Sequence, residues 1–170
     1  MIKLSLLFGL LMTVSNFNSN VVATKPATSY TAPVMTKEEI QFTELVNKER
    51  AERGLQQLIV DPTLIKVART HSGEMSNKHY FSHNSPTPGI KTALDRYLTE
   101  VKQRPTWALV GENLFYCSIV DVDRGHYALM NSEGHRANIL EPRYERIGVG
   151  ICTDSEGEFY VTQMFLAKTD

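Results

Sequence analysis

Four side chains in this chain could do chemistry if the fold brings them together. They are His83 in "YFSHNSP", Glu112 in "GENL", and Glu133 and His135 in "NSEGHRANIL". Imidazole is a metal ligand and a proton carrier near neutral pH, and a carboxylate can act as base, ligand or orienting partner. Two of each make a mixed nitrogen and oxygen site of a kind that zinc accepts, with a position left for water or a ligand. Each residue also has a plainer use. His83 could bond to loop backbone, Glu112 could hold a turn, Glu133 could be an exposed helix end, and His135 could open a helix. Ser82 and Ser132 lie near the histidines but in no nucleophile elbow, and the chain has no HExxH, GxSxG, P-loop or CxxC. The common short catalytic motifs therefore point to no reaction.

The elements must position these groups. On a helix, residues two apart point to nearly opposite sides, whereas in a turn they share one. Glu133 and His135 can meet one target if the helix over "DVDRGHYALMNS" ends between them, with Gly134 allowing the break and Ser132 capping a short helix over "HRANIL". Upstream, Thr36 and Glu39 have capping-box spacing, Phe42, Leu45 and Val46 follow at helical intervals, and Gly54 stops the helix. Asp61 and Pro62 start a second helix, whose apolar face holds Leu64, Val67, Ala68, His71 and Met75. His71 so placed reads as a core histidine, while His79 and His126 read as surface or helix-face residues. "SHNSPTPG" is a turn-rich loop, and a short helix is expected over 90–98.

"WALVGENLFYC", "RIGVGIC" and "EFYVTQMF" read as strands, the last two joined in a hairpin across "TDSEGE". In the last strand Phe159, Val161 and Phe165 share one face, and Tyr160, Met164 and Leu166 the other. Apolar residues on both faces call for a sheet covered on both sides. The expected fold class is α+β, a three-layer α-β-α sandwich with a mostly antiparallel central sheet.

The start of the chain reads as a signal peptide over 1–23: a lone Lys3, an apolar run over 4–14, and small residues ending at Ala23. The apolar run is shorter than the ~20 residues that span a bilayer. A Thr/Pro/Ala-rich tether over 24–35 and one domain over 36–170 follow. The formal net charge of −1 and the lack of a basic run argue against a nucleic-acid partner. With no further apolar segment able to span a membrane, the expected location is secreted or periplasmic. In that oxidising setting Cys117 and Cys152 are expected to pair, closing a loop of about 35 residues worth around 3–4 kcal/mol.

Taken together, the motifs resemble the CAP superfamily (cysteine-rich secretory protein, antigen five, pathogenesis-related; the SCP-like domain), and its short bacterial branch in particular. The resemblance runs from Thr36 to Phe165. It rests on Asn47, Arg50, Gly54 and Leu55 in the first helix, and on Asp61 and Leu64 at the start of the second. It rests further on "YFSHNSP", "GEN", "NSEGHRANIL", "GVG" and the closing Val161-Thr162-Gln163-x-Phe165, in that order. Leu129 stands where bacterial members often carry Trp, and Thr87 and Pro88 lengthen the loop. The resemblance implies an α-β-α sandwich whose cleft holds His83, Glu112, Glu133 and His135. It implies a divalent cation, zinc, on the two histidines with the glutamates nearby. It also implies a monomeric binding or effector module for a lipid, a glycan or a host or surface component. The alternative is an extracellular hydrolase, peptidase-like, in which a glutamate or a metal-bound hydroxide activates water.

Overall fold

The computed structural model describes residues 33–169. The expected signal peptide and most of the expected tether lie outside those residues. The chain runs α1 (Lys37–Glu52), β1 (Ile59–Val60), α2 (Pro62–Asn77), α3 (Ala93–Glu100), β2 (Trp107–Cys117), α4 (Val122–Asn131), α5 (Glu133–Leu140), β3 (Arg146–Thr153) and β4 (Phe159–Thr169). The helix starts follow local chemistry. Thr36 and Glu39 form a reciprocal capping box on α1, and the Asp61 carboxylate caps α2 ahead of Pro62. A second capping box, Thr92 with Asp95, starts α3 later than the apolar spacing suggests.

The sheet order is β1-β3-β4-β2, with β1 parallel to β3 and the other pairs antiparallel. β4 lies between two partners and is buried from Phe159 to Ala167. One of its faces packs with Phe42 and Val46 of α1, Leu129 of α4 and Ile139 of α5. On the other, Met164 and Leu166 meet Leu64, Val67 and Ala68 of α2 and Tyr97 of α3. This is the three-layer sandwich expected from the two-faced apolar pattern. β1 escaped that reading because two residues carry no period. Among the described residues no helix is long and apolar enough to cross a membrane.

One expectation is corrected. Cys117 and Cys152 are both free thiols. Cys117 of β2 pairs with Phe159, while Cys152 of β3 pairs with Tyr160. Phe159 and Tyr160 are successive residues of β4, so the two thiols point to opposite faces of the sheet with a whole strand between them. Two strand spacings are roughly 10 Å, well beyond the reach of a disulfide even without the opposed directions.

α2 lies unusually close to β3. A Cβ on Gly148 would sit 2.3 Å from the carbonyl carbon of Leu64, and one on Gly150 2.0 Å from the backbone nitrogen of Arg69. The second face of β3 is therefore bare backbone against helix backbone, and the seam is held by Ser72, whose hydroxyl donates to the Gly150 carbonyl at 2.9 Å. Gly150→Ala should force α2 off the sheet and cost about 1–3 kcal/mol or more. Urea unfolding followed by circular dichroism should show the lowered midpoint.

Candidate functional site

His83 sits on the loop between α2 and α3, and that loop is tied down at several points. His79, at φ 50°, turns the chain out of α2. The Glu74 carboxylate then accepts hydrogen bonds from Lys78 Nζ at 2.8 Å, Tyr80 Oη at 2.8 Å, Ser85 Oγ at 2.9 Å and the Thr87 hydroxyl. Burial alone would raise the pKa of Glu74, but these donors outweigh it and hold the group down to about 2. His71 is fully buried, as a core histidine should be, and its Nε2 donates to the Ser82 carbonyl at 3.0 Å. Its pKa is lowered, first by burial, against the opposing pull of Glu112.

Glu112 projects from β2 and is buried. Its Oε1 is 2.8 Å from His83 Nδ1, and its Oε2 accepts from Arg96. A carboxylate accepts, so Nδ1 carries a proton, and in the neutral form of the ring Nε2 keeps a lone pair. The His83 side chain is 57% exposed, so that lone pair is open to solvent. Arg96 of α3, almost fully buried, also donates to the carbonyls of His83, Ile90 and Lys91 at 3.2, 3.4 and 3.0 Å. One guanidinium thus fixes both the carboxylate and the main chain that carries the imidazole.

The "GEN" and "GHRANIL" segments meet through amides. Asn113, next to Glu112, donates to the His135 carbonyl at 3.1 Å and to Gln163 Oε1 at 3.2 Å. Asn138 donates to the Glu112 carbonyl at 3.1 Å and to Asn113 Oδ1 at 2.9 Å. His135 is half-buried; burial lowers its pKa, and the charge of His83 lowers it further. The two imidazoles are therefore close enough for a charge on one to act on the other.

Glu133 is placed differently. The break between α4 and α5 falls at Ser132, which ends one helix and begins the next with φ −95° and ψ 123°, and Gly134 lies inside α5. The expected break at Gly134 is thus two residues too late. Ser132 makes no side-chain cap bond. Glu133 and His135 occupy the first and third positions of one helix, roughly 200° apart around its axis. Glu133 is exposed there. Glu112 and His83 are brought into contact, Asn113 and Asn138 join the Glu112 strand to the His135 helix, and Glu133 is turned away from His135 on α5. Among the described residues no group of three or more His, Cys, Asp and Glu side chains converges on a metal-sized point.

Arg96 is the functional neighbour that sequence reasoning missed. Its only signal was its place beside Tyr97 in a capped, amphipathic helix, which does not distinguish a buried arginine from a solvated one. His126 lies on α4, as a helix-face residue should, but its face is the covered one. It is 7% exposed and its Nε2 lies 3.6 Å from Glu49 Oε1, beyond a hydrogen bond.

Comparison with known proteins gives a consistent answer. The family model described as the cysteine-rich secretory protein family matches residues 43–165. The uncharacterized protein YkwD of Bacillus subtilis is 37% identical over 147 residues, which is 86% of this chain and 54% of that protein. The uncharacterized membrane protein YlbC of the same organism is 33% identical over 136 residues, 79% of this chain and 36% of that one. This chain therefore spans about half, or less, of the curated relatives it matches. Among solved structures, an extracellular protein containing an SCP domain from Bacillus anthracis superposes with a TM-score of 0.64 at 30% identity, over 81% of this chain and 45% of that chain. An outer surface protein of Borrelia burgdorferi superposes with a TM-score of 0.70 at 19% identity, over 80% of this chain and 97% of that chain, which is a likeness of fold.

The loop carrying His83 should have a pH signature. The Glu74 carboxyl is held down from 4.5 to about 2 in the folded state. Its contribution is then complete above pH 4.5 and is lost as pH falls through about 2, and is on the order of 3 kcal/mol. Glu74→Gln should be less stable than the parent at pH 7, with the gap closing as pH falls from about 4.5 towards 2. Denaturant midpoints of both proteins across that range measure the difference.

Proposed function

The chain belongs to the cysteine-rich secretory protein family, and from that membership and the cleft geometry we propose an extracellular binding module in which His83 and His135 hold a divalent cation, zinc. The observation that carries the reading is the Glu112–His83 pair. A buried carboxylate that accepts a hydrogen bond from Nδ1–H and leaves Nε2 free of it is the usual support of a metal-binding imidazole. The lowered pKa of His135 favours the neutral ring that a metal requires. The fit is to a site with two protein ligands. Glu112 is engaged by His83 and Arg96, and Glu133 is turned away from His135, so water or a ligand would complete the coordination. Such a site suits exchangeable binding better than a closed structural centre, whose four positions are all filled by protein.

A bound zinc would supply a Lewis acid able to grip an anionic or carbonyl oxygen. Under this reading the open positions take such a group from a surface lipid, a glycan or a host component. The hydrolytic alternative has weaker support in the geometry. A glutamate acting as general base needs an oxygen within reach of the attacking water, and Glu112 directs one oxygen to His83 and the other to Arg96.

Calorimetric titration of zinc into the domain tests the proposal. His83→Ala and His135→Ala should each weaken binding, and Glu112→Gln should weaken it about 10–100-fold by releasing the His83 ring. Affinity unchanged in the His83→Ala/His135→Ala double variant would sink the reading.

A further inference from the structure

A cavity of about 380 Å³ opens where the segment after α2 faces the ends of β2 and β4. Its walls are aromatic and acidic. Phe81 and Tyr116 have ring centroids 6.0 Å apart at 47°, and Tyr116 and Tyr160 4.8 Å apart at 48°. Phe81 is 51% exposed and Tyr116 40%, so two of these three rings show much of their surface to solvent. His79, Tyr80, Glu156 and Glu158 complete the wall, and among the described residues no lysine or arginine lines it. Glu158 accepts from the Tyr116 hydroxyl through one oxygen and from Tyr160 Oη at 3.1 Å through the other. The tyrosines thus hold the carboxylate in place without neutralising it.

Each half of this arrangement narrows the ligand. Ring faces carry negative quadrupole charge and attract cations, most strongly bulky and weakly hydrated ones. Carboxylates attract cations of any kind. An inorganic cation would use the carboxylates and leave the exposed rings idle. A neutral sugar could stack on the rings and donate hydroxyls to the carboxylates, but it brings no positive charge to balance them. An alkylated ammonium group uses both. The cavity has the size of a small-molecule site. Tyr116 stands four residues along β2 from Glu112 on the same strand face, roughly 13 Å away, and Phe81 lies two residues before His83, so the cavity borders the loop that carries His83 without using that side chain.

We propose that this cavity binds alkylated ammonium groups of the choline type, with Tyr116, Phe81 and Tyr160 as the cation-facing rings and Glu158 and Glu156 as the counter-charges. The group could come from a free small molecule or from a lipid headgroup, and the chemistry recognised is the same.

Titration of the protein with choline, followed by tyrosine fluorescence and calorimetry, tests this. The parent protein should bind choline and should bind 3,3-dimethylbutan-1-ol, its uncharged isostere, at least about tenfold more weakly. Tyr116→Ala and Glu158→Gln should each weaken choline about tenfold, and Tyr116→Phe, which keeps the ring, should bind better than Tyr116→Ala. Phe81→Ala removes only an exposed ring, so it keeps the test open if a Tyr116 variant folds poorly. Phosphatidylcholine vesicles identify the source. Binding to vesicles that is lost in Phe81→Ala and Glu158→Gln supports a headgroup, and binding to choline alone supports a free cation. No binding of choline at millimolar concentration, equal binding of the uncharged isostere, or affinity unchanged in Phe81→Ala and Glu158→Gln would overturn the proposal.

Discussion

The structure depends on one buried cation. Arg50 of α1 is fully buried, and carbonyl oxygens from three segments surround its guanidinium. Nε donates to Gln56 at 2.8 Å, Nη1 to Ile139 and Glu141 at 2.9 Å each, and Nη2 to Tyr144 at 3.3 Å. Burial lowers its pKa, and the nearby Glu141 charge works the other way. Taking such a charge out of water costs several kcal/mol. The cost is offset because the same donors satisfy carbonyls that would otherwise be stranded, including those at the C-terminal end of α5. The bonded segments are the loop after α1, the end of α5 and the turn into β3. α5 carries His135, so the placement of that imidazole depends in part on this side chain. Asn47, one helical turn earlier, extends the clamp by exchanging two hydrogen bonds with the backbone of Leu58, just before β1.

The cleft uses a second set of fixed points. His83 is exposed on a loop, a position that would normally leave it mobile. Glu74 gathers the loop from one side and Arg96 from the other, and neither touches what the imidazole would bind. Asn113 and Asn138 then bolt the Glu112 strand to the His135 helix. Ordering is thus built into the fold before any ligand arrives, which is how a site with few direct ligands can still be selective.

Much of this was legible in the chain. The capping residues of α1 and α2, the two-faced apolar pattern of β4 and the joint motifs each reflect a local rule, and local rules survive folding. What was not legible depends on relations between distant segments. A period of two gives the faces of a strand but not its neighbour, so nothing in the spacing of Cys117 and Cys152 revealed that β4 stands between them. Ser132 does head α5, although without a side-chain cap bond, while a break at Gly134 would require Glu133 and His135 to share a side. The helix breaks earlier, and they do not. Arg50 stood out only as a motif residue and Arg96 not at all, because the carbonyls that receive them come from elsewhere in the chain.

The place of β4 has a consequence for how the domain comes into being. It is the last element in sequence and lies between β2 and β3 in the sheet. Phe42, in the first helix, packs against Phe159, in the last strand, with ring centroids 6.4 Å apart. A growing chain can form its helices early, but neither β2 nor β3 has its antiparallel partner until the final residues arrive. Contacts of such long sequence separation must overcome loop-closure entropy before they are rewarded. The helical layers have no sheet to cover until then, so the domain should stay open through most of its synthesis and close late, in a single cooperative step.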